Sequence, residues 1–202
     1  MKIELTIGSE KYNVDTINLG EYLDILSSVK DGNVSSVVGQ LMNDKFGCDF
    51  PKHIAEILFI KLWSYSTGNV CIEEDYTLET GEIVKVPINM NFVTLSESKS
   101  EDELIFDISG NLVKFRYPKL FEDNDYVQMV LNCIESVSVN DAIIKVDELT
   151  DQEMNELVSM IDENIFNNIC DMLLEPSIYL IYSIGDDNKI LTGFKDIFNL
   201  VS

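Results

Sequence analysis

The sequence predicts an α+β protein with a helical core and several antiparallel β-hairpins, either one compact body or two small lobes. Three observations carry that class. Hydrophobic periodicity switches repeatedly between helical spacing and strict alternation. Short turn signals such as Gly8-Ser9, Thr80-Gly81-Glu82 and Ser109-Gly110-Asn111 separate the alternating runs. Helix punctuation at Pro51, Gly68 and Thr150 separates the rest.

Taken in order, Lys2 to Ile7 alternates as a half-buried strand does, and Tyr12 to Thr16 returns after the turn. Leu19 to Val29 carries Leu19, Tyr22, Leu23 and Leu26 at helical spacing and stops at Asp31-Gly32-Asn33. Val34 to Phe46 is a second helix with Val37, Val38, Leu41 and Met42 on one face. Pro51 opens a third, whose wide apolar face (Ile54, Ile57, Leu58, Phe59, Leu62, Trp63, Tyr65) puts it at the centre of the core. Val70 to Leu95 alternates as a hairpin, and 104–108 with 112–117 forms another. Val127, Val130, Leu131, Ile134 and Val137 form one stripe, read as a helix through Val137, followed by an extended piece at 142–146. Thr150 and Glu153 make a capping box. Two helices then break near 162–164, a hairpin spans 178–191 around Gly185-Asp186-Asp187-Asn188, and Phe194 to Leu200 closes as a short helix. The organisation read from this order is an N-terminal lobe at 1–95, a linker at 96–103 and a C-terminal lobe at 104–202.

Charge excludes several function classes. The chain has 36 acidic and 14 basic residues, a net charge of −22, and Arg116 is its only arginine. Phosphate backbones are bound through Lys and Arg, so no nucleic-acid role is expected. An anionic membrane surface is disfavoured for the same reason. No stretch reaches the roughly 20 apolar residues of a membrane span, and the charged start is unlike a signal peptide, so a cytosolic compartment is expected. Cys48, Cys71, Cys133 and Cys170 are scattered and read as free thiols buried as small hydrophobes.

No grouping of residues in the sequence is one that catalyses. His53, the single histidine, reads as an exposed helical residue without an assignable partner. Four isolated cysteines lack the paired spacing of a zinc site, and no phosphate-binding glycine loop occurs. Asp186-Asp187-Asn188 lacks the ligand spacing of a calcium loop, and Glu73-Glu74-Asp75 reads as a solvated run. Not an enzyme, and no cofactor or metal, is the expectation.

Three linked segments carry a resemblance. They are Ile57-Leu58-Phe59-Ile60-Lys61-Leu62-Trp63-Ser64-Tyr65-Ser66-Thr67-Gly68-Asn69-Val70, then Val113-Lys114-Phe115-Arg116-Tyr117-Pro118, then the run 132–198 from Cys133-Ile134-Glu135-Ser136-Val137 to Gly193-Phe194 and Ile197-Phe198. In order and spacing, over about residues 50–201, the chain resembles the baseplate hub assembly family of T-even-type contractile-tailed bacteriophages. The resemblance implies a non-enzymatic, late-expressed tail morphogenesis protein, acting as an assembly chaperone or a hub component. It implies other hub or tail proteins as partners, and the host cytoplasm during assembly or the virion baseplate as its location. Relatives look as if they carry cysteine pairs in two hairpins. Here only Cys71 stands in the first and none in the second, so no metal role is carried over. Phe194, Ile197 and Phe198 are the expected partner-contact residues. The competing expectation is an acidic inhibitor or immunity-type protein that binds a basic toxin or nuclease.

Overall fold

The computed structural model describes residues 1–47, 50–78, 80–97, 99–100, 103–139, 142–185 and 187–201. Cys48, Asp186 and part of the 96–103 linker lie outside them. The described residues form seven α-helices and eleven strands in small antiparallel sheets, the α+β class read from the sequence. The chain divides into two compact units, Met1–Ser96 with Ser177–Ser202, and Glu97–Pro176. The sequence reading grouped 104–202 as one lobe, whereas here the last 26 residues belong with the first 96. The physical reason is pairing: the strand after Ser177 hydrogen-bonds to the one before Ser96, a partner 83 positions away.

In the first unit, β1 (Lys2–Ile7) and β2 (Glu10–Asp15) form a hairpin in which Ile7 faces Glu10. The two-residue turn works because Gly8 takes φ 56° at its first central position. Then α1 (Leu19–Asp31) starts on an Asn18 capping box, with Glu21 N–H donating to Asn18 Oδ1 at 3.0 Å and Asn18 N–H donating to Glu21 Oε2 at 2.8 Å. It is followed by α2 (Val34–Phe46) and by α3 (Lys52–Thr67). The third helix is apolar nearly all round, and Leu58, Ile60, Leu62 and Ser64 are wholly buried. Such a helix has no solvent face and must be wrapped by other elements. The wrapping comes from β1 and from a three-stranded sheet in the order β11-β10-β5, and the hairpin of β3 (Cys71–Thr77) with β4 (Ile83–Asn89) packs on β10. That sheet comprises β5 (Thr94–Leu95), β10 (Ile178–Ile184) and β11 (Asp187–Thr192). The chain ends in α7 (Phe194–Phe198), which packs on α3.

The second unit is a four-stranded antiparallel sheet, β6 (Ile105–Ile108), β7 (Asn111–Phe115), β8 (Ile134–Val139) and β9 (Ala142–Lys145), in that order. Its inner face packs on α4 (Tyr126–Cys133), α5 (Asp151–Ser159) and α6 (Glu163–Leu174). Phe115, Leu104, Met129, Ile108 and Ile169 are completely enclosed there. The Thr150 capping box is present in both directions: Thr150 N–H donates to Glu153 Oε2 at 2.9 Å, and Glu153 N–H to Thr150 Oγ1 at 3.3 Å.

One helix was read too long. The sequence carries α4 through Val137, but the helix stops at Cys133 and Ile134 to Val139 is a strand. Ile134, Val137 and Val139 are β-branched and suit an extended backbone. Strands on both sides supply ladder partners, Ser136 facing Lys114 on β7 and Lys145 on β9. Pairing on two edges outweighs the helical spacing of two apolar residues.

Candidate protein-interaction site

The residues expected to meet a partner sit on α7, and the structure separates their roles. Ile197 is 0% exposed and belongs to the core. Phe194 and Phe198 are half-buried and stacked on each other, ring centroids 5.3 Å apart and nearly parallel at 8°. Phe198 also meets Phe59 at 5.6 Å and Trp63 at 5.5 Å, both on α3, and Trp63 stacks on Tyr22 of α1 at 5.3 Å. Offset and edge-to-face ring pairs of this kind add about 0.5–1.5 kcal/mol each beyond area burial. A ladder of rings, Phe194–Phe198–Trp63–Tyr22, therefore ties α7 to α1 across α3. The indole N–H of Trp63 donates to the carbonyl of Val201 at 3.0 Å and fixes the chain beyond α7.

Tyr22 leads to α1, whose apolar residues recur at helical spacing in the sequence. On α1 only Ile25 and Ser28 are buried, while Leu19, Leu23, Leu26 and Val29 are exposed. At about 100° per residue, Leu19, Leu23 and Leu26 fall within about 60° of arc, with Tyr22 about 40° and Val29 about 60° beyond one end of it. The result is an apolar stripe on a well-capped helix, linked through Tyr22 and the buried Trp63 to the rings of Phe198 and Phe194. Isolated surface leucines are ordinary, but four apolar side chains on one face make a patch of the kind that marks interaction sites. On the flank toward α2, Glu21, Asp24, Asp31 and Asp44 line a pocket of about 510 Å³ with Ile25, Val37 and Leu41.

Elsewhere the reactive residue types have structural placements. His53 is corrected: at 7% exposure it is buried, not solvated. Burial, with the neighbouring Lys52 charge, pushes its pKa down to about 4, so the ring is neutral near pH 7. Cys133 is buried, and its thiol is pushed up to about 12 mainly by burial. Such a thiol is a poor nucleophile. Cys170 is buried too, whereas Cys71, expected inside, is exposed on β3, and Glu73, Glu74 and Asp75 are exposed on the same strand. Among the described residues no three His, Cys, Asp or Glu side chains converge as a metal site would require. None of the helices described is long and apolar enough to cross a membrane.

Arg116 explains one of the quoted motifs. Its guanidinium holds Glu122 through two 2.9 Å bonds and donates to the carbonyls of Tyr117 and Asn132 at 2.9 and 2.8 Å. Burial would raise the Glu122 carboxyl, but its bonds to Arg116 and to the Lys119 amide outweigh that and hold it below the ordinary range. A planar fork with several fixed acceptors cannot be replaced by lysine. Within Val113 to Tyr117, the alternate residues Val113, Phe115 and Tyr117 are buried. The motif is thus architectural and contributes no reactive group.

Comparison with known proteins extends the match beyond the quoted motifs. No solved structure is significantly similar. The chain is 31% identical over 207 residues to the baseplate hub assembly protein gp26 of Enterobacteria phage T4, covering 99% of this chain and 98% of that protein. The sequence model of the family described as T4 bacteriophage base plate protein matches residues 1–199, so it includes the β1–β2 hairpin, α1 and α2. The chain therefore belongs to the T4 bacteriophage base plate protein family.

Proposed function

We propose that this chain acts in assembly of the phage baseplate hub by protein–protein contact, without catalysis, and that it docks hub or tail proteins through α1 and α7. The observation that carries the docking surface is the exposed stripe Leu19, Leu23 and Leu26, joined by Tyr22 and Trp63 to Phe198 and Phe194. The similarity to a baseplate hub assembly protein supports the assembly role. The complementary surface on the partner is apolar, with basic residues placed to meet the exposed Asp24 and Asp31. Attraction between those charges raises the association rate and falls with added salt. The working compartment is the host cytoplasm during assembly. A chaperone leaves the finished particle and a hub component stays in it.

The test is affinity capture of the tagged chain from phage-infected cells, with mass spectrometry of the captured proteins and of purified virions. Recovery of hub and tail proteins is expected. Recovery of a basic toxin or nuclease with no tail protein contradicts the proposal. The amount of the chain in virions then separates chaperone from component.

A further inference from the structure

A second surface lies on the first unit, away from the α1 stripe. Residues 4–7 of β1 and Gly8 after it form one wall of a pocket of about 510 Å³, and residues 91–94, running into β5, form the other. Ile57, Lys61 and Tyr65, spaced i, i+4, i+8 on α3, line the same pocket, and both strands pack on that helix. Tyr65 Oη donates to Asn91 Oδ1 at 3.0 Å on the 91–94 wall.

One wall is a strand edge, and the other is a short 3-10 turn at Met90–Phe92 that leads into β5. Among the described residues β1 pairs only with β2, and β5 is the last strand of its sheet. Thr16 N–H donates to Met1 O at 2.8 Å, which fixes Met1–Thr16 as a hydrogen-bonded pair. Alternation along the register then makes Ile3–Val14, Leu5–Tyr12 and Ile7–Glu10 hydrogen-bonded pairs. The amides and carbonyls of Glu4 and Thr6 consequently point away from β2. Lys61 Nζ donates to the Thr6 carbonyl at 2.8 Å, in agreement with that direction. The Glu4 amide and carbonyl and the Thr6 amide stay available on this edge.

Lys61 itself is the unusual residue. Lys11, Lys45, Lys52 and Lys85 of the same unit each reach a carboxylate at 2.9–3.0 Å. Lys61, only 8% exposed, has no ion pair among the described residues despite 36 acids in the chain. Burial alone depresses its pKa. A buried ammonium held by one neutral carbonyl is unfavourable for the free protein and has spare donors for an anion.

We propose that this cleft accepts an extended segment of a partner protein by strand addition to the free edge of β1, with one carboxylate of that segment paired to Lys61. Main-chain bonds to Glu4 and Thr6 supply affinity that is independent of sequence, and the Lys61 pair sets register. The free β1 edge and the unmatched charge are satisfied by the same occupant. This cleft is distinct from the α1–α7 face, so either proposal can fail alone.

The probe is a display library of random ten-residue peptides, panned against the full chain and against Lys61→Met and Lys61→Arg. Peptides enriched on the native chain are expected to share one Asp or Glu within an alternating β-prone stretch. Replacing that residue by Asn or Gln should weaken binding about tenfold on the native chain and on Lys61→Arg, and not on Lys61→Met. Hydrogen exchange of the complex should show new protection at the Glu4 and Thr6 amides. Lys61→Met is expected to melt no lower than the native chain, because it removes an unmatched buried charge. Binding without a Lys61-dependent acidic preference, protection confined to other strands, or a lower melting temperature for Lys61→Met would each overturn the proposal. So would a dimer of the native chain that Lys61→Met abolishes, since the occupant would then be a second copy.

Discussion

Replacing Leu19, Leu23 and Leu26 together by alanine separates docking from folding. These side chains are 73%, 53% and 42% exposed, so between them somewhat less than two whole leucine surfaces still face water. At ~2 kcal/mol for burying one leucine, a partner that covers the stripe gains about 3 kcal/mol, a factor of roughly 150 in Kd. The folded chain loses little, because the buried Ile25 and Ser28 and the Asn18 cap are untouched and alanine is the better helix former. The assay pairs titration calorimetry against the captured hub protein with a thermal melt of the variant. A Kd weakened about a hundredfold at an unchanged melting temperature is expected. Unchanged affinity refutes the docking argument. A melting temperature lowered by 10 °C or more refutes the assignment of the stripe to the surface.

Other perturbations probe the folded frame. Phe198→Ala removes the ring that meets Phe59, Trp63 and Phe194; because it is half-buried, a loss of about 2 kcal/mol is expected in denaturant titration of the first unit. Thr150→Ala removes one direction of the α5 capping box and should cost about 1 kcal/mol, read on the second unit, with Thr150→Ser close to native. His53 predicts a pH dependence. Its folded pKa near 4 lies below the ordinary 6.5, so the unfolded chain binds the proton more readily. The associated stability is complete above pH 6.5 and is lost as pH falls from there toward 4, by about 2 kcal/mol after allowing for solvent at the ring edge. His53→Gln should flatten that part of the curve, and an unchanged slope between pH 6.5 and 4 would contradict the burial argument.

Much of the fold was legible because local signals and tertiary demands agree. The register of β1 with β2 follows from alternation and Gly8, and α3 announces its central position by being apolar on every side. The Thr150 box appears as written in the sequence. The misreadings have identifiable causes. Residues 134–137 continue a helical spacing, and only β7 and β9 on either side make them a strand. The return of 177–202 to the first unit depends on β5, a two-residue strand too short to leave a periodic trace. His53 reads as exposed because it lies in the first turn of a helix beside Lys52 and Glu56, whereas the structure buries it. The candidate site was half legible. The Phe194–Phe198 spacing signals an apolar face, but sequence cannot tell a core-facing leucine stripe on α1 from a solvent-facing one. Burial of Ile25 and Ser28 in place of the leucines decides that, and hydropathy gives no sign of it.

The measurement that tests the central claim most directly is complementation in cells infected with a phage lacking this chain. The native chain and the Leu19, Leu23, Leu26 alanine variant are supplied in equal amounts, and baseplates are counted by electron microscopy. The account predicts complete tails with the native chain, and few or no baseplates with the variant although it accumulates folded. Normal baseplates in normal numbers with the variant would contradict it.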